Sequence, residues 1–289
     1  MARVTRSLNG TVVAITGGGR GIGRAIGQAA AREGARVALG DLDRASAETA
    51  AAGLGGDALG LALDVTDHAG FTEFLDEVER RLGPLDVLVN NAGIMVVKPL
   101  VEESSDSVAR QIDLNLRAVI HGTQEAMRRM VPRGTGHIVN VSSLAGRSGF
   151  AMLGTYAATK HGVVGLSEAA RAELRGTGVE ITVVMPYFVR TELTAGVPDA
   201  RTLRRLAPED VAAAAVAALQ RPRFDVYVPR RAGVLMKLGA MLPRGIRDAL
   251  ARAFNADEAL QRTDLAARAG YEARAAASAP AAEEERSAA

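Results

Sequence analysis

The chain has 289 residues, enough for one large domain or two small ones, with 35 basic against 33 acidic side chains and a formal net charge of +2. A hydrophobic content of 48% with 24% charged residues excludes wholesale disorder, and a balance so near neutral gives no electrostatic footprint for nucleic acid. The absence of cysteine excludes disulfides, thiolate metal sites, iron–sulfur clusters and a cysteine nucleophile; no apolar run reaches the ~18 residues a membrane span needs, MARVTRSLNG lacks the apolar stretch of a secretory signal, and a cytoplasmic protein is expected.

Residues 11–16 (TVVAIT) are a β-rich apolar run, predicted as the first strand. A glycine cluster from Gly17 to Gly23 follows and leads into a helical stretch that stops at Gly34, in the position of a C′ glycine. Residues 37–39 form a second apolar run closed by Asp41, and 58–65 a third. Asp67 is placed to cap a helix whose apolar face is Phe71, Phe74, Leu75, Val78 and Leu82. Gly83-Pro84 leads into a fourth strand at 85–89, and a long helical region covers about 102–130. Residues 138–141 are the fifth strand, 155–175 a helix and 181–185 the sixth strand. Pro208 opens an alanine-rich helix read as packing material, and 225–228 is the seventh strand.

Strand and helix alternate, and several strands are continuous apolar runs, as when both faces are covered. The predicted fold class is α/β: a single doubly wound Rossmann-type domain over residues 1–230, with a seven-stranded parallel sheet flanked by helices. A helical C-terminal extension is expected at 231–272. Its basic and apolar stretch 233–255, interrupted at Pro243, reads as a helix packed on the domain, a pocket lid, a subunit contact or a membrane-surface helix. Residues 273–289, rich in Ala, Ser, Pro and Glu, are expected to be a disordered tail.

The glycine cluster has the spacing G-x-x-x-G-x-G, at Gly17, Gly21 and Gly23, rather than G-x-G-x-x-G. Either spacing lets the backbone turn tightly and approach a pyrophosphate at a helix N-terminus; the alternative is a plain strand-to-helix loop. Asp41, closing the second strand, is a turn residue or a carboxylate that accepts from adenosine ribose hydroxyls. In the second role it repels a 2′-phosphate and favours NAD over NADP, a preference that the nearby cations Arg20 and Arg44 would weaken. Tyr156 and Lys160 stand at i and i+4, on one helical face, either as a surface pair or as a phenol beside an ammonium. Ser143 ends the fifth strand, Asn115 lies in DLNLRA of the long helix, and Asn90-Asn91-Ala92-Gly93 follows the fourth strand.

With TGGGRGIG at 16–23, Asp64-Val65, NNAG at 90–93, Asn115, VSS ending at Ser143, and YAATK at 156–160, the chain resembles the short-chain dehydrogenases/reductases over roughly residues 10–228. The resemblance implies an oxidoreductase that exchanges a hydride between a nicotinamide cofactor and an alcohol or ketone. It makes Tyr156 the general acid/base, its phenol acidified by Lys160 and the positive nicotinamide. Ser143 would stabilise the substrate oxygen, with Ser142 as the runner-up for that role, and Asn115 would position Lys160. The cofactor set it implies is Gly17, Arg20, Gly21, Ile22, Gly23, Asp41, Asp64, Val65, Asn91, Ala92, Gly93, Tyr156, Lys160, Pro186, Val189 and Thr191. Pro186-Tyr187 departs from the family's Pro-Gly and places a side chain near the nicotinamide. The family also implies a homodimer or homotetramer.

Met95, Leu144, Phe150, Met152, Leu153, Tyr187, Phe188 and Leu193 are expected at the substrate pocket, and their apolar character favours a lipophilic secondary alcohol or ketone over a sugar phosphate. His68, His121 and His137 lack zinc-binding spacing, so no metal is expected, and His161 is turned about 100° from Lys160 along the helix. No G-x-S-x-G elbow surrounds Ser143, which weakens a hydrolase reading. The alternative from another class is a non-catalytic dinucleotide sensor or scaffold on the same fold. An epimerase or dehydratase would need further acid/base groups.

Overall fold

The computed structural model describes residues 5–198, 205–243, 245–246 and 258–277. Seven parallel strands form one sheet: β1 (Val12–Thr16), β2 (Arg36–Asp41), β3 (Leu59–Ala62), β4 (Val87–Asn90), β5 (Gly136–Val141), β6 (Val179–Pro186) and β7 (Asp225–Val228). Their spatial order is β3-β2-β1-β4-β5-β6-β7, each pair parallel. The chain winds outward from β1 to β3, then returns to place β4 on the other side of β1. That reversal opens a crevice at the carboxyl ends of β1 and β4, where ligands of such sheets bind.

Period-two alternation distributes β1 between two cores. Val13 and Ile15 face a layer built with Ile26 and Ala30 of α1 (Gly21–Arg32) and Val211, Ala215 and Leu219 of α7 (Pro208–Gln220). Val12 and Ala14 face the opposite layer, with Phe71, Leu75, Val78 and Leu82 of α3 (His68–Leu82) and Ala126 and Met130 of α5 (Ala118–Met130). Asp67 caps α3 as predicted, its side chain accepting from Ala69 N at 3.0 Å. Pro208 stands at the first position of α7, and the Asp210 carboxylate accepts from Ala207 N at 2.9 Å.

Three elements differ from the sequence reading. Helix α2 (Arg44–Ala52) occupies a stretch assigned no element, held by a cap in which Asp43 accepts from Ser46 N. The helical region predicted over 102–130 is divided: α4 (Ser105–Ile112) passes into a π-helical turn over Asp113–Arg117 before α5. In the C-terminal extension α8 (Arg230–Ala240) exposes Val234, Leu235 and Leu238, while residues 244 and 247–255 of the stretch 233–255 lie outside the described residues. Short α9 (Glu258–Gln261) and α10 (Leu265–Ala277) follow. Residues 273–277 of the expected tail are therefore helical, and 278–289 lie outside the described residues.

Candidate active site

A cleft of about 1090 Å³ opens over the carboxyl ends of the strands. Its floor is the junction of two turns. The Thr16 hydroxyl at the end of β1 accepts from Asn91 N and Ala92 N, each at 3.0 Å. The Asn91 amide donates back to Thr16 O at 2.9 Å and Gly17 O at 3.1 Å. This approach requires glycine: a Cβ on Gly17 would stand 2.9 Å from Ala92 Cα, and Gly17 has φ +63. Behind the turn, a Cβ on Gly23 would meet Gly17 O at 2.2 Å. Gly23 thus shapes the turn and does not line the cleft.

The turn delivers the chain into α1, whose start has no side-chain cap and no acidic residue in its first turn. The backbone N–H groups there remain free for an anion. Asp41 stands beside the turn, its carboxylate accepting from Gly19 N at 2.9 Å and Asp43 N at 3.1 Å, with lone pairs left for ribose hydroxyls. A tight backbone cradle, an uncapped helix start and a carboxylate at the end of β2 fit a dinucleotide. Arg20 lines the cleft, but its guanidinium is held by Asp43 at 2.9 Å, Ser46 at 3.1 Å and Glu192 at 3.3 Å. Arg44 is turned onto Glu48 at 2.7 Å.

At the other end, α6 (Gly154–Glu173) presents Tyr156 and Lys160 one turn apart, 7% and 4% exposed. The Lys160 ammonium lies 5.7 Å from the Tyr156 ring centre and donates to Val141 O at 3.0 Å. Ser143, just past β5, stands close enough to the Tyr156 phenol to lower its pKa, and its Oγ accepts from Ala145 N at 3.1 Å. Ser142 points elsewhere, donating to Lys160 O at 2.9 Å. Asn115 occupies the π-helical turn, fully buried. Its side chain accepts from Ile94 N and donates to Ile94 O, both at 2.8 Å, and reaches Thr159 Oγ1 at 3.3 Å. Gly93 lies between Asn115 and Lys160: a Cβ there would be 2.7 Å from Asn115 Oδ1 and 3.6 Å from Lys160 Nζ.

Burial pushes the Tyr156 phenol up to about 12, the Ser143 hydrogen bond offsetting part of the rise, and pulls Lys160 down to about 8. In the chain by itself burial dominates, and the acidification of Tyr156 expected from the Lys160 cation is not seen. Lys160 has a consequence for stability. Its pKa falls on folding from 10.5 to about 8, so the folded state is penalised while the amine is protonated. The penalty is full below pH 8, shrinks as pH rises towards 10.5 and vanishes above that. Lys160→Met is expected to stabilise the chain at pH 7 by about 1–3 kcal/mol, the lost bond to Val141 O being deducted, and to lose that gain near pH 10.5. Urea unfolding of both proteins across that range checks it; a difference that does not change with pH contradicts it.

Of the other residues predicted for the cofactor, Ile22, Asp64, Val65, Asn91, Ala92, Gly93, Pro186, Val189 and Thr191 line the cleft, together with Gly17 and Gly21. Met95, Leu144, Phe150, Leu153, Tyr187, Phe188 and Leu193, predicted for the substrate, line the same cleft, and Met152 packs behind them. Tyr187, the departure at Pro186-Tyr187, stands edge-to-face with Phe188 at 5.0 Å. Asn115, like Gly23, sits behind the wall. Among the lining residues outside the predicted set is Tyr271 of α10, whose hydroxyl accepts from Met95 N at 2.8 Å. Nothing in its local sequence places it there, because the contact depends on the return of the chain after β7.

The doubly wound sheet and this cleft define a Rossmann-type dinucleotide-binding protein. A family model described as short chain dehydrogenase matches residues 11–202. A sorbitol dehydrogenase of Cereibacter sphaeroides is 39% identical over 191 residues, covering 66% of this chain and 75% of that one. A probable oxidoreductase EphD of Mycobacterium bovis is 33% identical over 260 residues, 82% of this chain but only 44% of that longer protein. The crystal structure of a short-chain dehydrogenase/reductase from Burkholderia phymatum in complex with NAD superposes with a TM-score of 0.75 at 26% identity, covering 81% of this chain and 94% of that one. The chain belongs to the short-chain dehydrogenases/reductases: it is an oxidoreductase of CH–OH/C=O groups that uses a nicotinamide cofactor.

Proposed function

We propose that the chain interconverts a lipophilic secondary alcohol and its ketone with NAD as the preferred cofactor. The observation that carries this reading is the buried Tyr156 phenol, with Ser143 beside it and Lys160 one turn away, on the wall of a cleft whose substrate half is lined by Met95, Phe150, Leu153, Phe188 and Leu193. When bound, the nicotinamide supplies or accepts the hydride. Tyr156 gives a proton to the substrate oxygen in reduction and takes it back in oxidation. Ser143 donates a hydrogen bond to the same oxygen as charge develops on it. Lys160 supplies positive charge to favour the phenolate, and Asn115 fixes the Ile94 backbone and Thr159 beside it.

Asp41 supports NAD, since a carboxylate repels a 2′-phosphate. The two cations that would offset that repulsion are engaged elsewhere, Arg20 with Asp43 and Glu192, Arg44 with Glu48. The Cereibacter relative is named for a polyol, whereas this pocket's apolar lining supports a hydrophobic substrate body. Among the described residues no helix is long and apolar enough to cross a membrane. Turnover with NAD and with NADP against a panel running from sorbitol to long-chain secondary alcohols tests the reading. It predicts NAD-linked oxidation that rises with the apolar surface of the alcohol. Preference for free polyols, or for NADP, overturns it.

A further inference from the structure

The C-terminal extension builds part of the substrate half of the cleft. Leu260 of α9, 0% exposed, joins the apolar cluster of Met95, Leu153, Tyr156 and Val197, and Asp264 N donates to Gly196 O at 2.8 Å. Arg268 of α10 is also 0% exposed. Its guanidinium donates to Met95 O at 2.7 Å, to Leu193 O and Ala195 O at 3.0 Å each, and to Glu272 at 3.1 Å. A buried cation is tolerated when its donors are spent in this way, and a planar fork bonded to three carbonyls from two segments fixes the helix against the pocket.

One turn further, the Tyr271 ring lies 5.0 Å from that guanidinium, and its hydroxyl accepts from Met95 N at 2.8 Å. Tyr271 lines the cleft, and the Tyr156 phenol is near enough to act on it electrostatically. Burial pushes Tyr271 above the ordinary phenol range, so it stays protonated. A phenol both accepts and donates, and among the described residues no acceptor takes the Tyr271 proton. The pocket therefore offers a positioned donor separate from Tyr156 and Ser143, beside the apolar side chains of Met95, Phe150, Leu153 and Leu193.

We infer that Tyr271 is a specificity-determining residue whose hydroxyl donates to a second oxygen on the substrate, so that the favoured ketones are lipophilic compounds with another oxygen near the carbonyl, such as 3-oxo esters. The inference rests on the reading of the cleft as a carbonyl-reducing site. The test compares ethyl 3-oxobutanoate with 2-hexanone, a ketone without the second oxygen. With wild-type protein and NADH, kcat/KM is expected to favour the oxo ester by about tenfold, and Tyr271→Phe to remove that preference, bringing the ratio of the two probes close to one.

A second arm reads binding without turnover. The chain has no tryptophan, so NADH fluorescence reports probe binding to the NADH complex of Tyr156→Phe without interference. The oxo ester should bind about tenfold more tightly there than in the Tyr156→Phe, Tyr271→Phe double variant. Tyr271→Phe also removes the acceptor for Met95 N, but that structural effect weakens both probes alike and leaves their ratio unmoved. A ratio unaltered by Tyr271→Phe overturns the inference, as does a wild-type protein that treats the two probes alike, including one that binds neither. Turnover surviving in Tyr156→Phe would instead defeat the underlying mechanism and leave the binding arm to judge Tyr271.

Discussion

Replacing Tyr156 by Phe is expected to lower turnover by about 10²–10⁴-fold while leaving NADH affinity within about twofold of wild type. The substitution removes one oxygen. The ring continues to fill its place among Met95, Ala145, Leu153 and Ala157, so the apolar cluster holds. The cofactor half of the cleft is formed by the turns after β1 and β4 and by Asp41, none of which bonds to the Tyr156 hydroxyl. Only the proton on the substrate oxygen is lost. Steady-state rates and NADH fluorescence titration on the same preparations separate the two effects. Loss of both together would mean that Tyr156 holds the fold or the cofactor; retention of both would remove it from the chemistry.

Gly23→Ala is expected to do the reverse, damaging cofactor binding through the backbone. The added methyl would stand 2.2 Å from Gly17 O and 2.6 Å from Asn91 Nδ2. Neither neighbour is free to retreat, because Asn91 Nδ2 is bonded to Thr16 O and Gly17 O and its N–H to the Thr16 hydroxyl. The junction of the two turns must open. Overpacking of this kind costs about 1–3 kcal/mol, and an NADH affinity loss of about 10- to 100-fold is expected with a lowered melting temperature. Gly149→Ala is the control: nothing lies within 4 Å of its Cβ position, and it should behave as wild type. Wild-type affinity and melting in Gly23→Ala would contradict the structural reading of the turn.

The parts of this molecule that were legible in its sequence are the local ones. Several strands could be read because a strand covered on both faces is a continuous apolar run, and the caps at Asp67 and Pro208 because capping chemistry lies within one turn of the helix start. The cleft residues could be placed because they stand in the motifs that carry the family resemblance, and the sheet's winding brings the ends of β1, β2, β4, β5 and β6 to one edge. Helix α2 was hidden because its buried face is only Ala47, Ala50 and Ala51, too small to set up a periodic signal. The π-helical turn was hidden because DLNLR reads as ordinary helix. Its extra residue per turn is visible only in the backbone that carries Asn115 into the core. The inward placement of Arg268 and Tyr271 was hidden for a different reason. Arginine is almost never fully buried, and the carbonyls that pair with Arg268 come from Met95, Leu193 and Ala195, far away in the chain.

The most direct test of the account is a crystal structure of the chain with NADH and a non-reacting ketone mimic. The account predicts the mimic's oxygen within hydrogen-bond distance of both the Tyr156 and Ser143 hydroxyls, with the nicotinamide ring against it and Lys160 beside the adjoining ribose. A nicotinamide bound away from Tyr156, with the mimic's oxygen on other groups, would contradict it.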